Sequence, residues 1–387
     1  MAEKMGKIAV VTDVNTVEVR EYPVPDAADD GLVIKIETCS ICGSDKFNLT
    51  SKPAGPRPIG HEFVGRIVSI GANANQTIHC FNGQLALGDR IVVYPHVTCG
   101  GCEICLTYGN GNCICQNDWM YGGKKLDPKK KLNSIPSEYP YFKGGFAEYV
   151  YIVPNTFVWK VPDDMPSTVA VLLDPCAVAM RAVEQTMTTI GALDEGTSVT
   201  SRALIIGAGP IGIMAGMILR TMGVEQLLFT DFNDQKLGNA KEISGADDVV
   251  NLSGLTLEEK IAKVKDVTSG GPNIIIAAAN SPTAAYEGLQ MIRPLGTYVE
   301  IGAINKGASP DGPVLANNIL FKKNAHITSV VANTPTCFNR SFSMLKRWRQ
   351  LPFQRLITHE FNRLEDLVPT SMHMSDPDYL KGVLVWK

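Results

Sequence analysis

The sequence predicts an α/β protein: a doubly wound parallel sheet joined to a second, mainly β domain that carries clustered cysteines. Three observations predict it. First, the apolar run Ala203-Leu204-Ile205-Ile206 leads into Gly207-Ala208-Gly209-Pro210-Ile211-Gly212, an apolar helical stretch to Met222, and a second apolar run ending on Asp231. Second, further apolar runs at 248–250, 273–279, 296–301 and 326–331 are separated by helical patterns over 257–267 and 282–292. Strands alternating with helices fold as a parallel sheet. Third, short apolar runs between Lys7 and Glu37 are broken by prolines and Asp-Asp-Gly, the pattern of small antiparallel β-structure.

Strand, glycine turn, helix, strand and acid together make a dinucleotide site. Gly207 supplies the tight turn, Gly209 lets backbone approach a pyrophosphate, and Gly212 lets the helix pack closely on its strand. Pro210 and Ile211 open the helix, whose N-terminal N–H groups and macrodipole favour phosphate. Asp231 lies 19 residues past Gly212, near the spacing of a ribose-binding acid. Its carboxylate would accept from the ribose hydroxyls and repel a 2′-phosphate. Phe232 and Asn233 supply no arginine, although Lys236 is a nearby cation. NAD is therefore the expected cofactor.

At 387 residues the chain is long enough for two filled cores. Its 45% hydrophobic and 19% charged content describes an ordinary globular protein. A net charge of −3 gives no reason to expect nucleic acid as a partner. The most basic run, Lys124 to Lys131, lacks interleaved aromatics and reads as a solvated loop. Neither a signal peptide nor an apolar run long enough to span a bilayer is visible, so no membrane partner is expected. Ten cysteines without a secretory signal suggest metal ligands and buried thiols in a cytoplasmic protein.

Two groups of residues suggest metal. Cys42, His61 and Glu62 flank a proline-rich loop short enough to fold back, and they offer ligands suited to zinc. Asp45 is placed to accept from the unligated nitrogen of His61. Taken singly, a buried thiol and a core histidine explain these residues as well. The second group, Cys99, Cys102, Cys105 and Cys113, forms C-x2-C-x2-C-x7-C with glycines at 100, 101, 109 and 111. Four thiolates can close a tetrahedral zinc site and leave no position open for substrate. Cys115, two residues further on, reads as a bystander. The histidines at 79, 96, 326, 359 and 373 have no companion spacing and read as structural or surface residues.

The phrase from Gly60 to Ala74, GHEFVGRIVSIGANA, together with Gly88-Asp89-Arg90-Ile91-Val92 and Gly144-Gly145-Phe146-Ala147-Glu148-Tyr149-Val150, resembles the zinc-containing medium-chain dehydrogenase/reductase family. The resemblance is nearest its sorbitol and threonine dehydrogenase-like members and covers essentially the whole chain. It implies a discontinuous GroES-like catalytic domain (1–172 and 330–387) around a Rossmann domain (173–329). It also implies two zincs per chain, one catalytic and one structural, with NAD as hydride acceptor. The four-cysteine lobe would lie near a subunit contact in a homodimer or homotetramer.

The family's sites map onto this chain with two departures. Ser44 matches the proton-relay hydroxyl, but Phe47 stands where the relay histidine is often found. Asp174-Pro175-Cys176 stands where a glutamate, proline and leucine are usual. Asp174 is the expected third group at the catalytic zinc, directly or through water, with Cys176 the alternative and Glu62 able to coordinate during ligand exchange. The implied reaction is oxidation of a secondary alcohol, polyol or amino alcohol. The alternatives are a zinc-free reductase on the same scaffold and a non-catalytic cofactor-binding protein.

Overall fold

The structure, a computed structural model, describes residues 4–123, 141–187, 199–302 and 323–386; the basic run Lys124 to Lys131 lies outside them. The chain divides into two compact units, Met1–Asp174 with Thr334–Lys387, and Pro175–Asn333.

The second unit is built on a six-stranded parallel sheet. Its spatial order is Asp248–Asn251, Gln226–Asp231, Arg202–Ile206, Ile274–Ala277, Thr297–Glu300 and His326–Ser329. The first strand in sequence, Arg202–Ile206, lies between the second and fourth, with Ile205 beside Phe229 on one side and Ile276 on the other. Strand order reverses there, which opens a crevice at the carboxyl ends of the strands. Helix Pro210–Thr221 buries every residue from Gly212 to Leu219. Its sequence therefore lacks a polar stripe, because the helix has little face left for solvent.

The first unit contains an eight-stranded sheet with Leu32–Ser40 and Glu62–Ile70 at its centre, paired antiparallel. The alternating residues of these strands put Ile34, Ile36, Phe63 and Ile67 into one continuous core. The C-terminal strand Lys381–Val385 pairs antiparallel with Leu32–Ser40, setting Val383 opposite Ser40. That pairing brings the last residues of the chain beside the first metal motif. Helix Gly43–Thr50 follows Leu32–Ser40, with Cys42 at its N-cap. A two-stranded ribbon, His96–Val97 against Trp119–Met120, closes the base of the cysteine-rich loop.

Candidate functional site

The ligand atoms of Cys42, His61 and Glu62 lie within 4.8 Å of one another. Local structure explains the arrangement. Cys42 caps a helix whose third residue, Asp45, turns its Oδ2 back to accept the Cys42 N–H at 2.9 Å. Glu62 begins the central strand Glu62–Ile70, and His61 precedes it. Gly60 has φ +93, and a Cβ there would press on Phe146, so glycine lets the chain turn into the strand.

Asp45 is fully buried, and its Oδ1 lies 3.6 Å from His61 Nδ1. Neither atom has a hydrogen-bond partner among the described residues. With Nδ1 turned to the carboxylate, Nε2 is the nitrogen left for a metal. In the metal-free site burial works against an imidazolium. Interactions with Asp45 and Cys42 outweigh burial and hold the His61 pKa well above its ordinary value. The buried carboxylates of Asp45 and Glu62 beside Cys42 offer negative charge that a divalent cation would match. Soft thiolate, imidazole and carboxylate are also the donor set zinc prefers, so these residues fit the metal.

Glu62 has partners the sequence did not reveal. Lys381 Nζ lies 2.6 Å from Glu62 Oε2, and Ser40 Oγ donates to the same oxygen. Lys381 is 4% exposed and Glu62 2%. Burial disfavours the ammonium, yet Glu62 and Cys42 together raise the Lys381 pKa above its ordinary value. The two meet because the C-terminal strand is registered against Leu32–Ser40, a pairing that no local spacing announces.

Asp174 is the third group expected from the sequence, directly or through water. It is buried, in the first turn of helix Leu173–Gln185, but it does not belong to the group whose ligand atoms converge within 4.8 Å. An aspartate is one methylene shorter than the usual glutamate, and the third group brought to Cys42 and His61 is Glu62. Cys176, the alternative, is buried on the same helix. Ser44 is exposed in the first turn of Gly43–Thr50, and Phe47 on the same helix is 44% exposed.

The four-thiolate group differs by one member from the one the spacing suggests. The converging sulfurs are those of Cys99, Cys102, Cys105 and Cys115; Cys113, though buried, is not among them. Sulfur separations are 3.6 Å for Cys102–Cys105, 3.7 Å for Cys102–Cys115 and 3.5 Å for Cys115–Cys99. Sulfurs bound tetrahedrally to one zinc sit about 3.8 Å apart, so this quartet fits the ion. A turn aims Cys115 inward: its N–H donates to the Asn112 carbonyl, while its Sγ accepts from the N–H groups of Cys99 and Asn117, each at 3.4 Å. The closing loop is thus two residues longer than the sequence pattern implied. Thr98 Oγ1 accepts the Gly111 N–H at 2.9 Å, and Tyr94 donates to the Gly111 carbonyl at 2.7 Å, pinning the tip of that loop.

The glycine turn in the second unit has room for a dinucleotide's phosphates. Gly207 has φ +101, and a Cβ at Gly212 would collide with the Gly207 carbonyl oxygen. A Cβ at Gly209 would meet nothing within 4 Å, so the face above the turn is open. Gly209 is the N-cap and Pro210 the first residue of the helix, where a missing N–H costs nothing. Ile211 is half-buried beside them. Asp231 does more than await a ribose. Its Oδ2 accepts the Ala208 N–H at 2.8 Å, and its Oδ1 accepts the N–H groups of Phe232 and Asn233 at 2.7 and 3.1 Å. The acid therefore ties the glycine turn to the second strand while keeping further acceptor capacity.

Residues 28–163 match the family model described as alcohol dehydrogenase GroES-like domain, and residues 210–347 match the one described as zinc-binding dehydrogenase. The chain is 27% identical to a sorbitol dehydrogenase of Bacillus subtilis over 320 residues, covering 81% of this chain and 79% of that protein. It is 27% identical to an L-threonine 3-dehydrogenase of Thermococcus kodakarensis over 368 residues, covering 93% and 92%. Among solved structures, an alcohol dehydrogenase from Thermotoga maritima superposes with a TM-score of 0.85 at 25% identity, covering 99% of this chain and all of that one.

Proposed function

The chain belongs to the zinc-containing medium-chain dehydrogenase/reductase family, and from that premise we propose that it oxidises a secondary alcohol, polyol or amino alcohol to the carbonyl with NAD as hydride acceptor. The observation that carries the reading is the convergence of Cys42, His61 and Glu62 within 4.8 Å, with buried Asp45 facing His61. When bound there, zinc supplies Lewis-acid chemistry that lowers the pKa of an alcohol oxygen.

The remaining work falls to the chain's own groups. Cys42, His61 and Glu62 hold the metal, and Asp45 orients the His61 ring through Nδ1. Lys381 and Ser40 restrain the Glu62 carboxylate. Ser44 is exposed beside Cys42 and is the hydroxyl that would take the alcohol proton. Phe47 cannot titrate, so no side chain at that position would carry the proton on from Ser44. Gly207, Gly209 and Gly212 seat the pyrophosphate, and Asp231 accepts from the ribose hydroxyls. The quartet Cys99, Cys102, Cys105 and Cys115 holds a second, structural zinc. Sorbitol and threonine dehydrogenases among the relatives support polyols and amino alcohols as the substrate class. The proposed assembly is a homodimer or homotetramer, and the reduced thiols suit the cytoplasm.

The test is metal analysis together with NADH absorbance over a panel of secondary alcohols, polyols and amino alcohols. We expect about two zincs per chain and turnover with NAD at least about tenfold better in kcat/KM than with NADP, on the order of 1.4 kcal/mol. Cys42→Ser and His61→Ala should each abolish oxidation while NADH binding persists. Equal turnover with NADP would remove the cofactor assignment. Unimpaired oxidation by His61→Ala would remove the metal assignment.

A further inference from the structure

Beside the ribose-binding acid lies a cation whose charge is already matched. Phe232, immediately after Asp231, is 58% exposed at the carboxyl end of its strand. Lys260, on helix Leu257–Val267, holds its Nζ 5.1 Å from the centre of the Phe232 ring. The same Nζ lies 2.7 Å from Oε1 of Glu287 on helix Pro282–Met291. The two side chains are only 12% and 9% exposed.

We propose that Glu287 helps set the cofactor preference by holding Lys260 neutralised and away from the ribose, so that a 2′-phosphate cannot recruit that cation. The inference rests on the assignment of the Gly207–Asp231 region as the dinucleotide site. A 2′-phosphate monoester carries about −1.5 to −2 charges near neutral pH and is held by charge-assisted hydrogen bonds. Next to Asp231 it meets a carboxylate first, so binding it requires a cation that can turn toward it. Lys260 is a compact ammonium on a flexible stem, over the ring of the residue that follows Asp231. Glu287 consumes both its charge and its freedom, and the Phe232 ring supports it from the other side. Phe232 and Asn233 add no cation of their own. The preference for NAD thus comes from two carboxylates: Asp231 repels the phosphate, and Glu287 withholds its natural partner. Glu287 acts through Lys260 and is a positioning residue.

The test measures binding of adenosine 2′,5′-bisphosphate and of AMP by calorimetry, together with kcat/KM for NADP and NAD in the zinc-loaded enzyme. Glu287→Gln should tighten adenosine 2′,5′-bisphosphate at least about tenfold, which equals 1.4 kcal/mol. AMP affinity should stay within about twofold, because only the 2′-phosphate interaction changes. The gain should appear in KM for NADP more than in kcat, shrink as salt is raised, and vanish in the double variant with Lys260→Met. If Glu287→Gln does not fold, Lys260→Met carries the test from the other side. It leaves Glu287 an unmatched negative charge, so the bisphosphate must weaken relative to AMP. An unchanged bisphosphate-to-AMP ratio in a folded Glu287→Gln protein overturns the proposal, as does a gain that survives Lys260→Met. The wild-type ratio of NAD to NADP tests the cofactor reading separately; the change in that ratio on substitution is informative whichever cofactor the wild type prefers.

Discussion

Lys381 couples the end of the chain to its metal-binding beginning, and the consequence can be measured at one atom. Its ammonium and the Glu62 carboxylate are both buried, 2.6 Å apart. Removing one partner of a buried pair leaves an unmatched charge, which costs about 3–5 kcal/mol, whereas replacing both partners costs far less. Lys381→Met should therefore lower the melting temperature of metal-free protein by several degrees, and Glu62→Gln in the same chain should restore much of it. In the zinc-loaded enzyme, Lys381→Met would release Glu62 from the position that Lys381 and Ser40 impose on it, so kcat should fall more than substrate affinity. Additive losses in the double variant would mean that the two groups do not act as a pair. Asp174→Asn tests the third metal ligand at the same scale. With Glu62 as the converging carboxylate, catalytic zinc content should survive Asp174→Asn, measured by metal analysis, and fall with Glu62→Gln.

The four-cysteine lobe is an element in its own right, closed below by the ribbon of His96–Val97 and Trp119–Met120. Cys115→Ser should remove about one zinc per chain and lower the melting temperature, because metal binding and local order are coupled. Cys113→Ser should retain full zinc content, and the reverse result would return the fourth ligand to Cys113. The lobe also carries a pH dependence of definite sign. In the metal-free lobe a backbone N–H from Gly101 pulls the Cys99 thiol down to about 6, whereas burial pushes Cys115 up to about 12. At neutral pH Cys99 is a thiolate and Cys115 a thiol, so zinc must displace at least the Cys115 proton. Binding therefore releases protons, and apparent affinity falls as pH falls, more steeply once Cys99 also protonates below about pH 6. A zinc competition titration with a chromophoric chelator across that range would read the slope. An affinity independent of pH would contradict it.

For the whole molecule, the proposed metal and dinucleotide sites fall in separate units: Cys42, His61 and Glu62 within Met1–Asp174 and the glycine turn within Pro175–Asn333. Each unit has its own sheet and its own core. Chelation should accordingly abolish alcohol oxidation while leaving NADH binding, followed by fluorescence, within about threefold, since the pyrophosphate rests on backbone N–H groups that need no metal. Parallel loss of cofactor binding would mean that the metal supports the second unit as well. Readdition of zinc should restore turnover.

Much of this was legible in the sequence because its causes are local. The turn needs glycine at Gly207 for a positive φ and at Gly212 for lack of room, and no other residue serves as well. Helix Leu257–Val267 was legible to its ends, since Thr256 and Glu259 form a reciprocal cap. Cys42, His61 and Asp45 were legible because one loop and one helical turn suffice to bring them together. Other features waited for the tertiary structure. Which of Cys113 and Cys115 closes the zinc lobe depends on how a turn at Asn112 aims two cysteines with a single residue between them. Whether Asp174 or Glu62 joins the metal group depends on reach across the fold. The pairs Glu62–Lys381 and Lys260–Glu287 depend on sheet register and on the packing of helices distant in sequence. Spacing and residue type determine turns, caps and periodic faces, because those are settled within a few residues by backbone sterics and hydrogen bonding. Which charges meet in the interior is decided only when the cores close, because burial makes the match between them necessary and long-range pairing selects the partners.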